Sequence, residues 1–217
     1  MTLRLAPHIS YCLLAERPVF FDVSNDRYFH LPDDLENPFL FGSKHGKVDQ
    51  AVADRLIQLG VLEVCAPDAA GWCPVDHSPA VVSVLELDQP EPPVTLAGIC
   101  EVAWIVLTEK GGLSHKSLQS RLPPVFPAQT SADISNTTII QNALFFRRAR
   151  RYVPVDTICL LDSLSLLIFL RRRGISATLV FGVNLTPFSA HCWVQAGDLL
   201  LNDTVGGVQS YLPIRVF

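Results

Sequence analysis

Three residues of types that do covalent chemistry stand out: Cys159, His191 and Asp203. Cys159 falls in the first turn of an apolar run from about 157 to 173 that has helical length and is closed by Gly174, with Asp156 or Thr157 available as N-cap. Free amides and the positive dipole end at a helix start stabilise an anion, so a thiol there has its pKa lowered toward the nucleophilic thiolate. Asp162, one turn on, would raise that pKa if it pointed at the sulfur, but it is expected at the cap or surface. His191 lies in AHCWVQA (190–196), where strand alternation puts His191, Trp193 and Gln195 on one face and Cys192 and Val194 on the other. Cys192 is thereby expected in the core, away from the histidine.

Asp203 follows in LLLND (199–203) after the connection Ala196-Gly197-Asp198. A three-residue loop would set His191 opposite Asp203, with Cβ atoms ~4.5–5.5 Å apart. A two-residue loop at Gly197-Asp198 would set Asp203 opposite Cys192, on the wrong face. The three-residue register is the one expected. It lets Asp203 hold one imidazole nitrogen while the other faces Cys159, the nucleophile–base–orienter arrangement in thiol form, with Asn202 as the fallback orienter. The bland alternative is a buried Cys159, a half-exposed His191 and an Asp203 that only begins a turn.

Helices are expected over 95–109, 113–121 and 137–151, the last ending in Arg147, Arg148, Arg150 and Arg151, which reads as a solvated helix end complementing the dipole. Strands are expected at 177–183, 190–196 and 199–203. Helices followed by antiparallel strands predict an α+β domain over 95–217. Residues 67–94 are rich in proline and predict a linker, although the island at 80–87 could dock as a strand. Residues 1–66 predict a small separate module. It has strands at 18–23 and 27–31 joined by Ser24-Asn25-Asp26, a helix start near Asp33, Asp34 and Glu36, a helix over 48–59 stopped by Gly60, and a strand at 61–64.

Composition narrows the classes. The chain has 217 residues, 49% hydrophobic and 18% charged, with net charge −4, pI about 5.8 and mean hydropathy +0.29. That is ample core material and no electrostatic footprint for nucleic acid or an anionic membrane. The N-terminus lacks the pattern of a signal peptide, and the apolar stretches fall short of a spanning helix, so a cytoplasmic protein is expected. The six cysteines form no CxxC pair and the histidines no metal-ligand spacing, so neither a metal site nor a disulfide framework is expected. There is no GxxxxGK[ST] nucleotide motif.

Cysteine at a helix start, histidine on a strand and aspartate across a hairpin is the order of papain-like, transglutaminase-fold enzymes. More closely, CLLDSLSLLIFLRRRGISATLVFGV followed by PFSAHCWVQAGDLLLND resembles the transglutaminase-like leader peptidases of lasso peptide biosynthesis, the B proteins. That family has alanine where Cys192 stands. The resemblance implies a cysteine peptidase with Cys159 as nucleophile, His191 as acid–base and Asp203 as orienter. It implies as partners a precursor peptide, held by its leader, and an asparagine synthetase-like lasso cyclase that closes a macrolactam on the freed core. No cofactor is expected on this chain; any ATP dependence would act through the cyclase. The front third, PVFFDVSNDRYFHLP with DQAVADRLIQLGVLE, resembles the winged-helix-like PqqD domain that binds leaders as an added strand. Carried over, Tyr28, Phe29, His30 and Leu31 offer the edge and Leu56 the groove. An acyltransferase on the same three residues and a noncatalytic peptide-binding scaffold are the alternatives in other classes.

Overall fold

The computed structural model describes residues 2–66, 71–115, 118–122 and 135–217. The chain divides into two compact units, residues 1–76 and 77–217. No helix among the described residues is long and apolar enough to cross a membrane.

Among its described residues the first unit carries five short strands and two helices. Strands β1 (Leu3–Leu5) and β5 (Leu62–Val64) pair antiparallel. Strands β2 (Ile9–Leu14), β3 (Arg17–Asp22) and β4 (Arg27–Phe29) form an antiparallel sheet in that order, which leaves β4 at an edge. The β2–β3 turn is made by Ala15 and Glu16 at φ 48° and 66°. Neither is the glycine or asparagine that normally marks this turn, so β2 is not among the elements that the sequence predicts. At the next turn the Asp22 carboxylate accepts from the Ser24 and Asn25 amides, both at 3.1 Å. Helix α1 (Asp33–His45) and helix α2 (Gln50–Gln58) follow, with Asp49 capping α2 by accepting from Ala51 N at 2.9 Å, an interaction worth ~1 kcal/mol.

Tyr11, Phe20 and Phe39 centre this unit's core, with ring centroids 5.0 to 5.6 Å apart. Two of the candidate binding residues belong to the same core. Leu31 is 4% exposed and Leu56 fully buried, so neither side chain is presented to a ligand. Helical spacing identified Leu56 as apolar but not which neighbour covers it.

The expected linker is shared out between the units. Trp72 packs on Phe39 in the first, and Val75 N donates to Tyr11 O. In the second unit β6 (Val82–Ser83) pairs parallel with β9 (Leu199–Leu200), so the 80–87 island does dock as a strand. Proline-rich sequence rules out long regular elements, but these short anchors need only a few backbone bonds.

The second unit is a five-stranded sheet with helices, in the order β10–β7–β8–β9–β6. Strands β7 (Thr178–Leu185), β8 (Phe188–Ala196) and β10 (Leu212–Val216) are antiparallel neighbours. Helices α3 (Leu96–His115), α4 (Leu118–Arg121), α5 (Asn136–Arg150), α6 (Cys159–Arg171) and the single turn α7 (Val205–Val208) complete it. Helix α6 is buried on nearly every side from Leu161 to Leu170, as an all-round apolar helix must be. It packs against α3, α5 and β8.

Of the arginines ending α5, Arg147 and Arg151 are exposed, as a solvated helix end requires, but Arg150 is not part of it. Arg150 is buried, and its guanidinium donates to the Val153, Val155 and Asp156 carbonyls at 2.9–3.1 Å and to Asp162 Oδ1 at 2.7 Å. It therefore fastens the loop that delivers the chain into α6. Breaking such a pair from one side costs ~3–5 kcal/mol. Arg148 donates to the Glu91 and Pro92 carbonyls, and Arg151 meets the Glu91 carboxylate at 3.2 Å. Asp162 is consequently an ion-pair partner inside the unit rather than a cap or a surface residue.

Candidate functional site

Cys159 is the first residue of α6. The residue before it, Ile158, is the N-cap and offers no side-chain bond, so neither Asp156 nor Thr157 caps the helix as expected. First-turn amides of a helix have no intrahelical acceptors, and Cys159, an exposed residue, opens that turn. The rigid apolar body of α6 fixes where that sulfur sits.

His191 is on β8 opposite Gly182 of β7. A side chain at Gly182 would place its Cβ 2.7 Å from the Trp193 ring and 2.9 Å from Tyr211 Cβ. Glycine lets both aromatics close around the imidazole, whose centroid is 6.2 Å from Trp193 and 5.3 Å from Tyr211. Trp193 is held in turn by donating to Gln195 Oε1 at 3.3 Å, and Gln195 donates to the Ser78 and Gly197 carbonyls.

Asp203 arrives by a route the register argument did not foresee. The β8–β9 loop has two residues, with Ala196 opposite Leu199 and Gln195 opposite Leu200. Continued, that ladder would put Asp203 opposite Cys192. It does not continue. Leu201 N still donates to Val194 O at 2.9 Å, but Val194 N donates to Asn202 Oδ1 at 2.8 Å. The side-chain amide thus supplies the acceptor that a continuing strand would have supplied, and residues 201–203 bend out of the ladder. Asn202 Nδ2 also donates to Ser163 Oγ at 2.8 Å, and that hydroxyl donates to Cys192 O at 3.2 Å. Beyond the bend, Ser83 Oγ donates to Asp203 O at 2.5 Å and Thr204 N to Asp203 Oδ1 at 2.7 Å. Asp203 Oδ2 then lies 2.6 Å from His191 Nε2. Asn202 serves as a brace for the bend, not as an orienter of His191.

The structure brings all three singled-out residues together. The Cys159 sulfur is in hydrogen-bonding reach of the Cys192 thiol and of His191, and these bonds, with the His191 charge, hold its pKa at about 4 against a partial loss of solvent. His191 is raised to about 10, first by its bond to Asp203 and then by Cys159. Burial raises Asp203, but the bonds from His191 and Thr204 N outweigh it and keep the carboxyl below the usual range. Both shifts favour thiolate and imidazolium at neutral pH, a state in which Nε2–H donates to Asp203. Asp162 is pushed the other way, by burial and by the nearby thiolate, against the pull of Arg150.

Cys192 is buried, as expected, but it is not remote from the site: α6 packs on its side of β8, and its thiol contacts that of Cys159. Alternation assigned the strand face correctly and could not say that the helix start reaches round it. Among the proposed binding residues, Phe29 stacks on Phe20 at 5.2 Å and Tyr28 on Phe21 at 4.6 Å. Only His30 extends a largely exposed side chain beside β4. Beside the helix start a cavity of about 460 Å³ is lined by Phe146, Arg147, Arg151, Val155, Thr157 and Asn202, among others. No group of His, Cys, Asp and Glu among the described residues is arranged to hold a metal ion.

These shifts have a direct readout in the pH profile of Cys159 alkylation by iodoacetamide, followed by peptide mass spectrometry. The wild-type rate should stay nearly flat from about pH 5 to pH 8, because the thiolate is already formed. In His191→Ala the midpoint should climb toward the ordinary thiol value of ~8.5. Asn202→Ala, which lets the ladder run on and draws Asp203 away, should fall between the two. A wild-type midpoint near 8.5 would contradict the ion pair.

Among known families, residues 113–216 match the model described as the transglutaminase-like superfamily. No curated protein matches the chain, and no solved structure does. The match takes in Cys159, His191 and Asp203 together with the α6–β10 scaffold that holds them. Over residues 113–216, just under half of its length, this chain is thus similar to the transglutaminase-like superfamily.

Proposed function

We propose that this chain is a cysteine peptidase that removes the leader from a ribosomally made lasso precursor peptide, as the B-protein resemblance implies. The observation that carries the reading is the bond of 2.6 Å between His191 Nε2 and Asp203 Oδ2, beside a Cys159 thiol that Cys192 and His191 hold well below its ordinary pKa. The thiolate attacks the scissile carbonyl. Because the proton already resides on His191, that residue acts first as general acid toward the leaving amine. It then acts as base toward the water that resolves the acyl-enzyme. Asp203 keeps the ring oriented and its charge balanced. The Cys159 backbone amide, at the first helical position, is a candidate donor to the oxyanion.

The leader is held by the first unit through strand addition at β4, where main-chain pairing supplies affinity. Tyr28, Phe29 and His30 belong to that edge segment; Leu31 and Leu56 support it from the core. Cleavage frees the core peptide for a partner asparagine synthetase-like cyclase. The transglutaminase-like match also favours a second reading, transfer of the acyl group to an amine instead of water. A product heavier than the hydrolysed one by the amine's mass, less water, would reveal it.

Cleavage of a cognate precursor, followed by mass spectrometry, should fall by at least ~10³-fold in Cys159→Ala. Its affinity by fluorescence anisotropy should be unchanged, and equal cleavage by both proteins rules out the nucleophile. Conversely, His30→Pro should weaken leader binding by at least about tenfold, or ~1.4 kcal/mol. Its Cys159 alkylation rate should equal that of the wild type. Unaltered anisotropy in His30→Pro would remove β4 as the binding edge.

A further inference from the structure

Cys192 touches the nucleophile and takes no part in the steps above. Its placement rests on hydrogen bonds. Ser163 lies four residues after Cys159, hence on the same face of α6, and it donates to the Cys192 carbonyl at 3.2 Å. That face is therefore laid directly on Cys192, and the Cys159 sulfur meets both its thiol and its backbone amide. Both cysteines are free, Cys159 exposed and Cys192 2% exposed. The pair has an outer member open to small molecules and an inner one that borders it.

We infer that Cys159 and Cys192 form a redox-modification site, at which a peroxide oxidises Cys159 and Cys192 captures the product as a disulfide. In the first step the Cys159 thiolate attacks one oxygen of hydrogen peroxide. The O–O bond breaks, the other oxygen leaves as hydroxide and takes a proton, and Cys159 becomes a sulfenic acid, oxidised by two electrons. In the second step the Cys192 sulfur attacks the sulfenic sulfur. The S–O bond breaks, and the departing hydroxide takes the proton given up by Cys192 and leaves as water. A dithiol reductant returns both cysteines to thiols.

The charge state of the site orders these events. While Cys159 is a thiolate, its hydrogen bond and its charge, together with burial, hold the Cys192 thiol protonated and unreactive. Conversion of Cys159 to an uncharged sulfenic acid removes that charge, so Cys192 gains acidity at the step where it is needed. Capture also prevents further oxidation to sulfinic acid, which is not ordinarily reversible. The result is a nucleophile that is switched off and protected together. Only the two thiols are required, so this site and the leader-cleavage reading can fail separately.

The test treats the full-length protein with hydrogen peroxide. The intact mass should fall by two hydrogen atoms, and trypsin should release a peptide of residues 152–171 joined to one of residues 174–215. Dithiothreitol should then restore iodoacetamide labelling of Cys159 in full. In Cys192→Ala, whose folding is checked by its labelling before peroxide, the same treatment should add two or three oxygens to Cys159 irreversibly. Two results would overturn the proposal: irreversible oxygen addition in the wild type, or a reversible cross-link from Cys159 to Cys73 or Cys100 instead. If Cys192→Ala does not fold, the wild-type peptide map decides alone.

Discussion

A charge separation across three side chains is the constraint on which the C-terminal unit turns. A thiolate at the first residue of a buried helix, an imidazolium on the adjoining sheet and a carboxylate behind it stabilise one another only when each is correctly placed. Helix amides favour the first charge, the ring nitrogens join the first to the third, and partial burial strengthens each attraction. Separated, the same groups would be an ordinary thiol and a mostly neutral histidine at neutral pH.

Holding that arrangement takes a polar scaffold hidden under an apolar fold. Arg150 binds three carbonyls of the loop before α6 and so sets where the helix begins. Asn202 ends the β8–β9 ladder by taking the Val194 amide and ties the bend to α6 through Ser163. Ser83, from the proline-rich segment, secures the Asp203 carbonyl. The relative position of Cys159 and Asp203 is the joint product of these three side chains.

The legibility of this protein in its sequence varies with the range of the interactions concerned. Helix α6, strand β8 and their functional residues could be located because apolar runs and alternation are local signals. Asp203 meets His191, but not through the three-residue loop that the spacing predicts: the loop has two residues, and a side-chain amide, invisible to any pairing count, breaks the ladder. The Ala15-Glu16 turn hid β2 because its residues seldom adopt positive φ. Arg150 looked like surface charge because burial of an arginine depends on carbonyls brought near only by folding. Leu31 and Leu56 show the same limit from the apolar side, since spacing shows that a residue is hydrophobic and not whether a ligand can reach it.

The protonation of His191 is the quantity that decides between a charged pair and a neutral contact. Nitrogen-15 NMR of histidine-labelled protein, titrated through neutral pH, reads it directly. The account predicts both His191 nitrogens protonated at pH 7 in the wild type and a titration midpoint near 10. In Cys159→Ala the midpoint should be lower, with the Asp203 bond still raising it. A wild-type His191 that is neutral at pH 7, with the same midpoint in Cys159→Ala, would contradict the thiolate–imidazolium pair.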